Sequence, residues 1–363
     1  MFIMQKAMYY DDYLHLESVL QSQHPKSFES PNTPAHDEML FIIIHQATEL
    51  WFKQILFELN YIMQVFKKEK IDDNSEDLNL VRHRLNRIIK INELLSQQVG
   101  ILDTMTPLDF LEFRNLLTPS SGFQSLQFRL IEARLGLQMS NRYQNDYYKR
   151  VNEGGFTADH FALINQAEQE PTLLQLINQW LERMPFFDLN YWNASGQNNK
   201  ADIDLHPFWL AYRNEYVRNL TERERNKLPD FDFVFFEKIL PDATTEQLKA
   251  LRSDLSPAAM RAALFIMLYR DFPVFQTSYQ ILDALIEIDH LMSNWRHKHF
   301  IMVRRMIGMR VGTGNTSGSR YLEGALNKHY EFKDLSNLST YIIQRNKLPQ
   351  LPVELIQALS FQV

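Results

Sequence analysis

Cysteine is absent from the chain. That excludes disulfides, thiolate nucleophiles, zinc–thiolate sites and haem held by a thiolate, and it fits a reducing compartment. Long apolar runs are also missing. The clearest, Leu40 to Ile44, falls far short of the ~20 residues a membrane helix needs. Met1 to Tyr10, interrupted by Gln5 and Lys6, lacks the apolar stretch and cleavage site of a secretory signal. A cytoplasmic protein that does not enter a membrane is expected. Glycine is scarce, 11 in 363 residues, and four of these fall between 308 and 318. No sign of charge dominates: 38 basic against 44 acidic residues leave a net charge of −6, which argues against a nonspecific nucleic-acid binder. Alternating strand patterns are lacking throughout, so the fold class is read as all-α. GxSxG, HExxH, EF-hand and CxxCH motifs are missing too, leaving hydrolase and kinase readings without support.

Aromatic residues are abundant, with 25 Phe and 15 Tyr, so the interior is expected to be bulky. The pattern predicts a short amphipathic helix over 9–23, with Tyr13, Leu16 and Leu20 on its apolar side and Tyr10 beside them. A long helix follows to about Lys70, with Thr33-Pro34 as its cap and first position. Its first half, apolar nearly all round from Leu40 to Ile44, is expected to be buried. Further helices are predicted over 75–98, from Thr106-Pro107, over 123–138, and from Ser256-Pro257 to about 271. The more polar stretch 140–255 reads as a helical insertion within one domain spanning 1–363. Its charge run, TERERNK, reads as a solvated face.

The stretch 282–318 reads as a long helix followed by a glycine-rich loop. Ile288, Met292, Trp295, Met302 and Met306 share one helical face, and His299 fills the gap in that stripe. A neutral imidazole on an apolar wall, flanked by Arg296, Arg304 and Arg305, suits the proximal ligand of a haem, with arginine toward a propionate. A lone buried histidine is more often a core residue bonded to a carbonyl, so this feature does not stand alone. His45 is a second histidine in an apolar helical run, and Phe41, His45 and Glu49 share its face. Arg114 lies between Phe110, Phe113 and Leu117. Such a guanidinium pairs with a protein carboxylate or grips a substrate carboxylate bidentately. The serine hydroxyl and backbone N–H groups at Ser120-Ser121-Gly122 either cap the next helix or bind a polar ligand atom. The loop holding Gly308, Gly312, Gly314 and Gly318 follows a helix and has no Walker lysine. It reads as a connector or as a loop bringing Thr313 to a ligand. Together these residues describe a mostly apolar pocket fit for haem and an aromatic amino acid.

HDEMLFIIIHQATELWFK, MTPLDFLEFR, SSGFQSLQFRLIE, WRHKHFIMVRRMIG and GTGNTSG occur in that order, with YYDDYL near the start and DLSNLSTY near the end. In these motifs the chain closely resembles the tryptophan 2,3-dioxygenase family over nearly its whole length, most weakly in 140–255. The resemblance implies a haem b enzyme, active with Fe2+, that opens the pyrrole ring of L-tryptophan with O2. The product would be N-formyl-L-kynurenine, the first step of the kynurenine pathway, with the two oxygen atoms inserted in succession. It makes His299 the proximal iron ligand and His45 the distal histidine that meets the indole N–H. Phe41, Ile42, Ile43, Ile44 and Phe110 become substrate-pocket residues, and Arg114 the carboxylate ligand. Thr313 would meet the ammonium and carboxylate, and Ser121 and Gly122 would line the haem side. Tyr10 and Tyr13 would come from a neighbouring subunit of a homotetramer. Two departures are Asp11, where the family usually has glycine, and Asn315-Thr316 in place of Gly-Ser. A haem monooxygenase of a substituted tryptophan or indole, or a haem- or indole-binding sensor without turnover, are the competing readings.

Overall fold

The computed structural model describes residues 8–71, 76–137, 155–192, 203–240, 243–308, 310 and 330–359. Among these residues the regular structure is helical throughout, with no strand, as the sequence pattern implies. No helix among them is long and apolar enough to cross a membrane.

Three long helices carry the molecule: α3 (Asp37–Phe66), α4 (Glu76–Leu102) and α13 (Pro273–Ile307). Helices α4 and α13 make the most extensive contact, and α3 packs on α4. Shorter helices fill in around them: α5 (Pro107–Arg114), α6 (Leu126–Leu135), α7 (Ala158–Gln169), α8 (Leu173–Glu182), α9 (Pro207–Asn219), α10 (Leu228–Phe236), α11 (Thr245–Leu251) and α12 (Pro257–Leu268). The chain ends with α14 (Lys333–Asn337) and α15 (Val353–Leu359). One hydrophobic core runs from α3 and α4 through α8, α9, α10 and α12 to α13 and Leu335 of α14. Part of it is aromatic: Phe208, Trp209, Tyr212, Phe231, Phe235 and Phe265 are all buried. A second cluster joins Ile44, Val99, Leu102, Met105, Phe113, Met302 and Met306.

Local chemistry sets the helix starts near this second cluster. Thr106 and Asp109 form a reciprocal capping box on α5, with Pro107 in its first turn. Ser121 caps a short 3₁₀ turn over Gly122–Gln124, and Ser125 caps α6. Gly136 ends α6 at φ +136°, where an added Cβ would lie 2.9 Å from Leu174 Cβ, so only glycine fits that stop.

Four expectations need correction. The N-terminal helix is two pieces, α1 (Tyr10–Leu14) and α2 (Leu16–Leu20), broken at His15 with φ 50°. Helix α3 begins at Asp37, not at Thr33-Pro34. The buried Glu38 carboxylate instead accepts from the backbone N–H groups of Lys26 and Ser27, both at 2.8 Å, and so ties the preceding loop to the first turn. The deeply buried half of α3 is its second half, from Phe52 to Phe66, because the first half has a cavity on one side and an open face on the other. The central helix α13 starts earlier than the expected 282, with Pro273 as its first residue.

Candidate active site

A cavity of about 510 Å³ lies between the first half of α3, the end of α4, α5, the 120–125 turn, α6 and the second half of α13. Most of its wall is carbon, from Phe41, Ile44, Phe110, Leu117, Phe128 and Met302 among others. Volume and lining suit a flat, largely apolar ligand.

His45 points into this cavity from α3. Its Nδ1 lies 2.7 Å from the carbonyl oxygen of Phe41, one turn earlier. A carbonyl can only accept, so Nδ1 carries the proton and Nε2 keeps its lone pair. Burial lowers the pKa of His45, opposed by the Phe41 bond and by the nearby Glu49 carboxylate. The ring is therefore neutral near pH 7 and offers one acceptor nitrogen. The Phe41 and His45 rings are 4.1 Å apart, and Phe41, Phe110 and Phe113 pack mutually at 5.4–5.7 Å. Gln98 braces this part of α3. Its Nε2 donates to the Ile44 carbonyl at 2.8 Å and to Thr48 Oγ1 at 3.0 Å. Glu49 also lines the cavity and accepts from Ser125 Oγ at 2.5 Å and Gln127 Nε2 at 2.8 Å, fixing α6 against α3.

His299 enters the same cavity from α13. Burial, reinforced by repulsion from His45, brings its pKa down to about 4. It is neutral at physiological pH, as an iron-binding imidazole must be. Arg114, half-buried at the end of α5, lines the cavity beside Phe110, and Ser121 and Gly122 contribute from the following turn.

One wall is charged. Arg129, Glu132 and Arg296 line the cavity and are buried, with Glu331 and Asp289 behind them. Glu132 pairs with Arg129 at 2.7 Å and with Arg296 at 3.2 Å, and Arg296 also reaches Glu331 at 3.2 Å. Asp289 accepts from the N–H groups of Glu331 and Phe332 at 3.0 and 3.1 Å. Burial pushes the Glu331 carboxyl well up, against the pull of Arg296. Mutual pairing is how so many ionisable groups share a dry site.

The cavity thus brings together His45, His299, Phe41, Ile44, Phe110, Arg114, Ser121 and Gly122. It does not include Ile42 or Ile43. At 100° per residue Ile43 lies about 160° round the helix from His45, and it is 46% exposed. Tyr10 and Tyr13 are 72% and 68% exposed and do not line the cavity of their own chain. Thr313 lies outside the described residues, with Gly312, Gly314 and Gly318. Arg296, one of the three arginines flanking His299 in sequence, lines the cavity and sits in the buried cluster with Glu132 and Glu331. Arg305 faces Asp103 at 3.6 Å, and Arg304 is exposed. The Arg129–Glu132 pair was not singled out in the sequence. Its local signal is an i, i+3 charge pair within α6.

A family model for tryptophan 2,3-dioxygenase matches residues 3–342. The chain belongs to the tryptophan 2,3-dioxygenase family. Curated relatives of that name agree. One from Bdellovibrio bacteriovorus is 40% identical over 371 residues, covering 98% of each chain. One from Aedes aegypti is 41% identical over 98% of this chain and 90% of the relative. One from Mus musculus is 40% identical over 95% of this chain and 84% of the relative. Family membership thus extends across the weakly patterned 140–255 stretch as well as the motifs around the cavity.

Proposed function

We propose that this chain is a haem-dependent dioxygenase that opens the pyrrole ring of L-tryptophan with O2 to give N-formyl-L-kynurenine. The observation that carries the reading is one apolar cavity holding two neutral histidines, on α3 and α13, with an arginine at its edge. Haem fits the residues present. His299 would hold the iron through a neutral imidazole, and the surrounding Met302, Val303 and Phe128 side chains offer the macrocycle an apolar wall. When bound, haem b supplies the ferrous iron that activates O2.

The chain's own residues do the rest. Phe41 and Phe110 form one aromatic wall for a planar substrate to lie against, and their mutual packing limits its orientation. His45 Nε2, the free acceptor, takes the indole N–H as a hydrogen bond. Arg114 pairs with the substrate carboxylate at the polar edge. Thr313 from the glycine-rich loop completes the grip on the amino-acid end. Ser121 and Gly122 shape the haem side. The apolar wall excludes water while both atoms of O2 are added across the indole C2–C3 bond, which breaks to leave one oxygen on each carbon.

The working form is proposed to be a homotetramer in which Tyr10 and Tyr13 reach a neighbour's site. Their exposure supports this, as does an apolar stripe on α3: Ile43, Leu50 and Phe57 lie seven residues apart and are 46%, 57% and 66% exposed. A single domain over 1–363, with 140–255 as supporting scaffold, belongs to the same proposal.

The test is turnover of L-tryptophan by the haem-loaded, reduced protein under ¹⁸O2, read by mass spectrometry. Ring-opened product carrying two labelled atoms is expected. One labelled atom would establish a monooxygenase, and a clean haem spectrum with no product a sensor.

A further inference from the structure

Trp295 is one turn before His299 on α13. Their rings are parallel, at an interplanar angle of 2° with centroids 5.3 Å apart. Phe128 packs on the indole at 5.1 Å, and Phe52 meets it edge-on at 5.9 Å and 78°. Phe128 is in turn held under the guanidinium groups of Arg129 and Arg296, at 5.7 and 5.8 Å. Trp295 thus packs against both hydrophobic clusters, and its own position is fixed from several sides.

Among the described residues the imidazole of His299 has no such fixing of its own. The torsion joining ring to Cβ is broad and two-fold. A metal-binding histidine is normally oriented by a hydrogen bond from its other ring nitrogen to a carboxylate or carbonyl. Among the described residues no protein group bonds the His299 ring, and the stack on Trp295 is the contact that defines its plane. We infer that Trp295 is the positioning residue for the proximal histidine, setting the plane of the imidazole by parallel stacking. Offset parallel rings are a preferred geometry, and the plane of an axial imidazole governs its overlap with the iron. The inference rests on the proposed role of His299.

The contribution is the indole face, not its N–H, because Nε1 is buried without a partner among the described residues. A phenyl ring at 295 should therefore serve, and an aliphatic side chain should not. The experiment compares Trp295→Phe and Trp295→Leu with wild type, each haem-loaded, reduced and free of substrate. The iron–histidine stretching band is read by resonance Raman spectroscopy, the reduction potential by spectroelectrochemistry, and folding by circular dichroism. The Phe variant is expected to keep the wild-type band and potential. In the Leu variant, at unchanged helicity, the band should shift and broaden and the potential should move. Identical spectra in all three proteins would overturn the inference while leaving haem binding intact. Equal changes in the Phe and Leu variants would assign the effect to the N–H and overturn it as well. A wild-type protein showing no iron–histidine band would remove the haem reading, and this inference with it.

Discussion

The Nδ1–H of His45 donates to the Phe41 carbonyl oxygen at 2.7 Å, which leaves Nε2 as the only lone pair that this ring presents to the cavity. An acceptor there matches an indole N–H and is wasted on an N-alkylated indole. Replacing His45 with Ala is expected to slow turnover of tryptophan. It should also shrink the preference for tryptophan over 1-methyltryptophan by roughly tenfold, the worth of about 1.5 kcal/mol for a buried hydrogen bond. Steady-state kinetics on both substrates check this. An unchanged ratio would remove His45 from contact with the indole nitrogen.

Arg114→Ala is expected to raise KM for L-tryptophan steeply. Losing a charged partner of a buried carboxylate costs about 2–5 kcal/mol. Tryptamine, which has no carboxylate, should be used poorly by both proteins and distinguish little between them. A variant with wild-type KM would place the carboxylate clamp elsewhere.

His299→Ala is expected to lose stoichiometric haem while keeping its helical content, since the imidazole lines a cavity and does not fill the core. Haem absorbance per mole of protein and circular dichroism measure the two properties. Full haem retention with an unchanged spectrum would refute the assignment.

Glu132 bridges Arg129 and Arg296 in the buried cluster. Glu132→Ala removes the shared anion from two buried guanidinium groups, and a loss of about 3–5 kcal/mol in stability is expected. Chemical denaturation of the purified variant reads it directly. A loss below about 1 kcal/mol, the value of an exposed pair, would show that water reaches the cluster.

His206 caps α9 by accepting from the Phe208 N–H at 3.2 Å, and burial holds its pKa down at about 4. In the unfolded chain the same ring takes a proton near pH 6.5. Below that pH the unfolded state binds more protons, so stability falls with falling pH until about 4, by up to about 3 kcal/mol. His206→Asn keeps a capping side chain and removes the titration. Its unfolding midpoint should fall less than that of wild type between pH 6.5 and 4. Parallel pH profiles would exclude His206 as a source of acid lability.

Phe41, His45, Phe110, Arg114 and His299 were legible in the sequence because each sits within a helix whose period fixes its face. The start of α5 at Thr106-Pro107 was legible too, because a cap is a local pattern. What escaped depends on distant partners. The partners of Arg296 were not legible, because Glu132 is 164 residues away and Glu331 is 35 residues away. The start of α3 was misread because Glu38 is satisfied by a loop that folds back from Lys26 and Ser27. The apolar run Leu40 to Ile44 was read as buried because composition does not reveal which side of a helix the rest of the chain leaves bare.

That bare side has a consequence for how the protein would behave on dilution. Ile43 and His45 are two residues apart on a single stiff rod, one facing outward and the other inward. Whatever grips the outer stripe of α3 also steadies the frame from which His45 and Phe41 hang. In the proposed homotetramer association and turnover would be coupled through α3, and specific activity is then expected to fall on dilution.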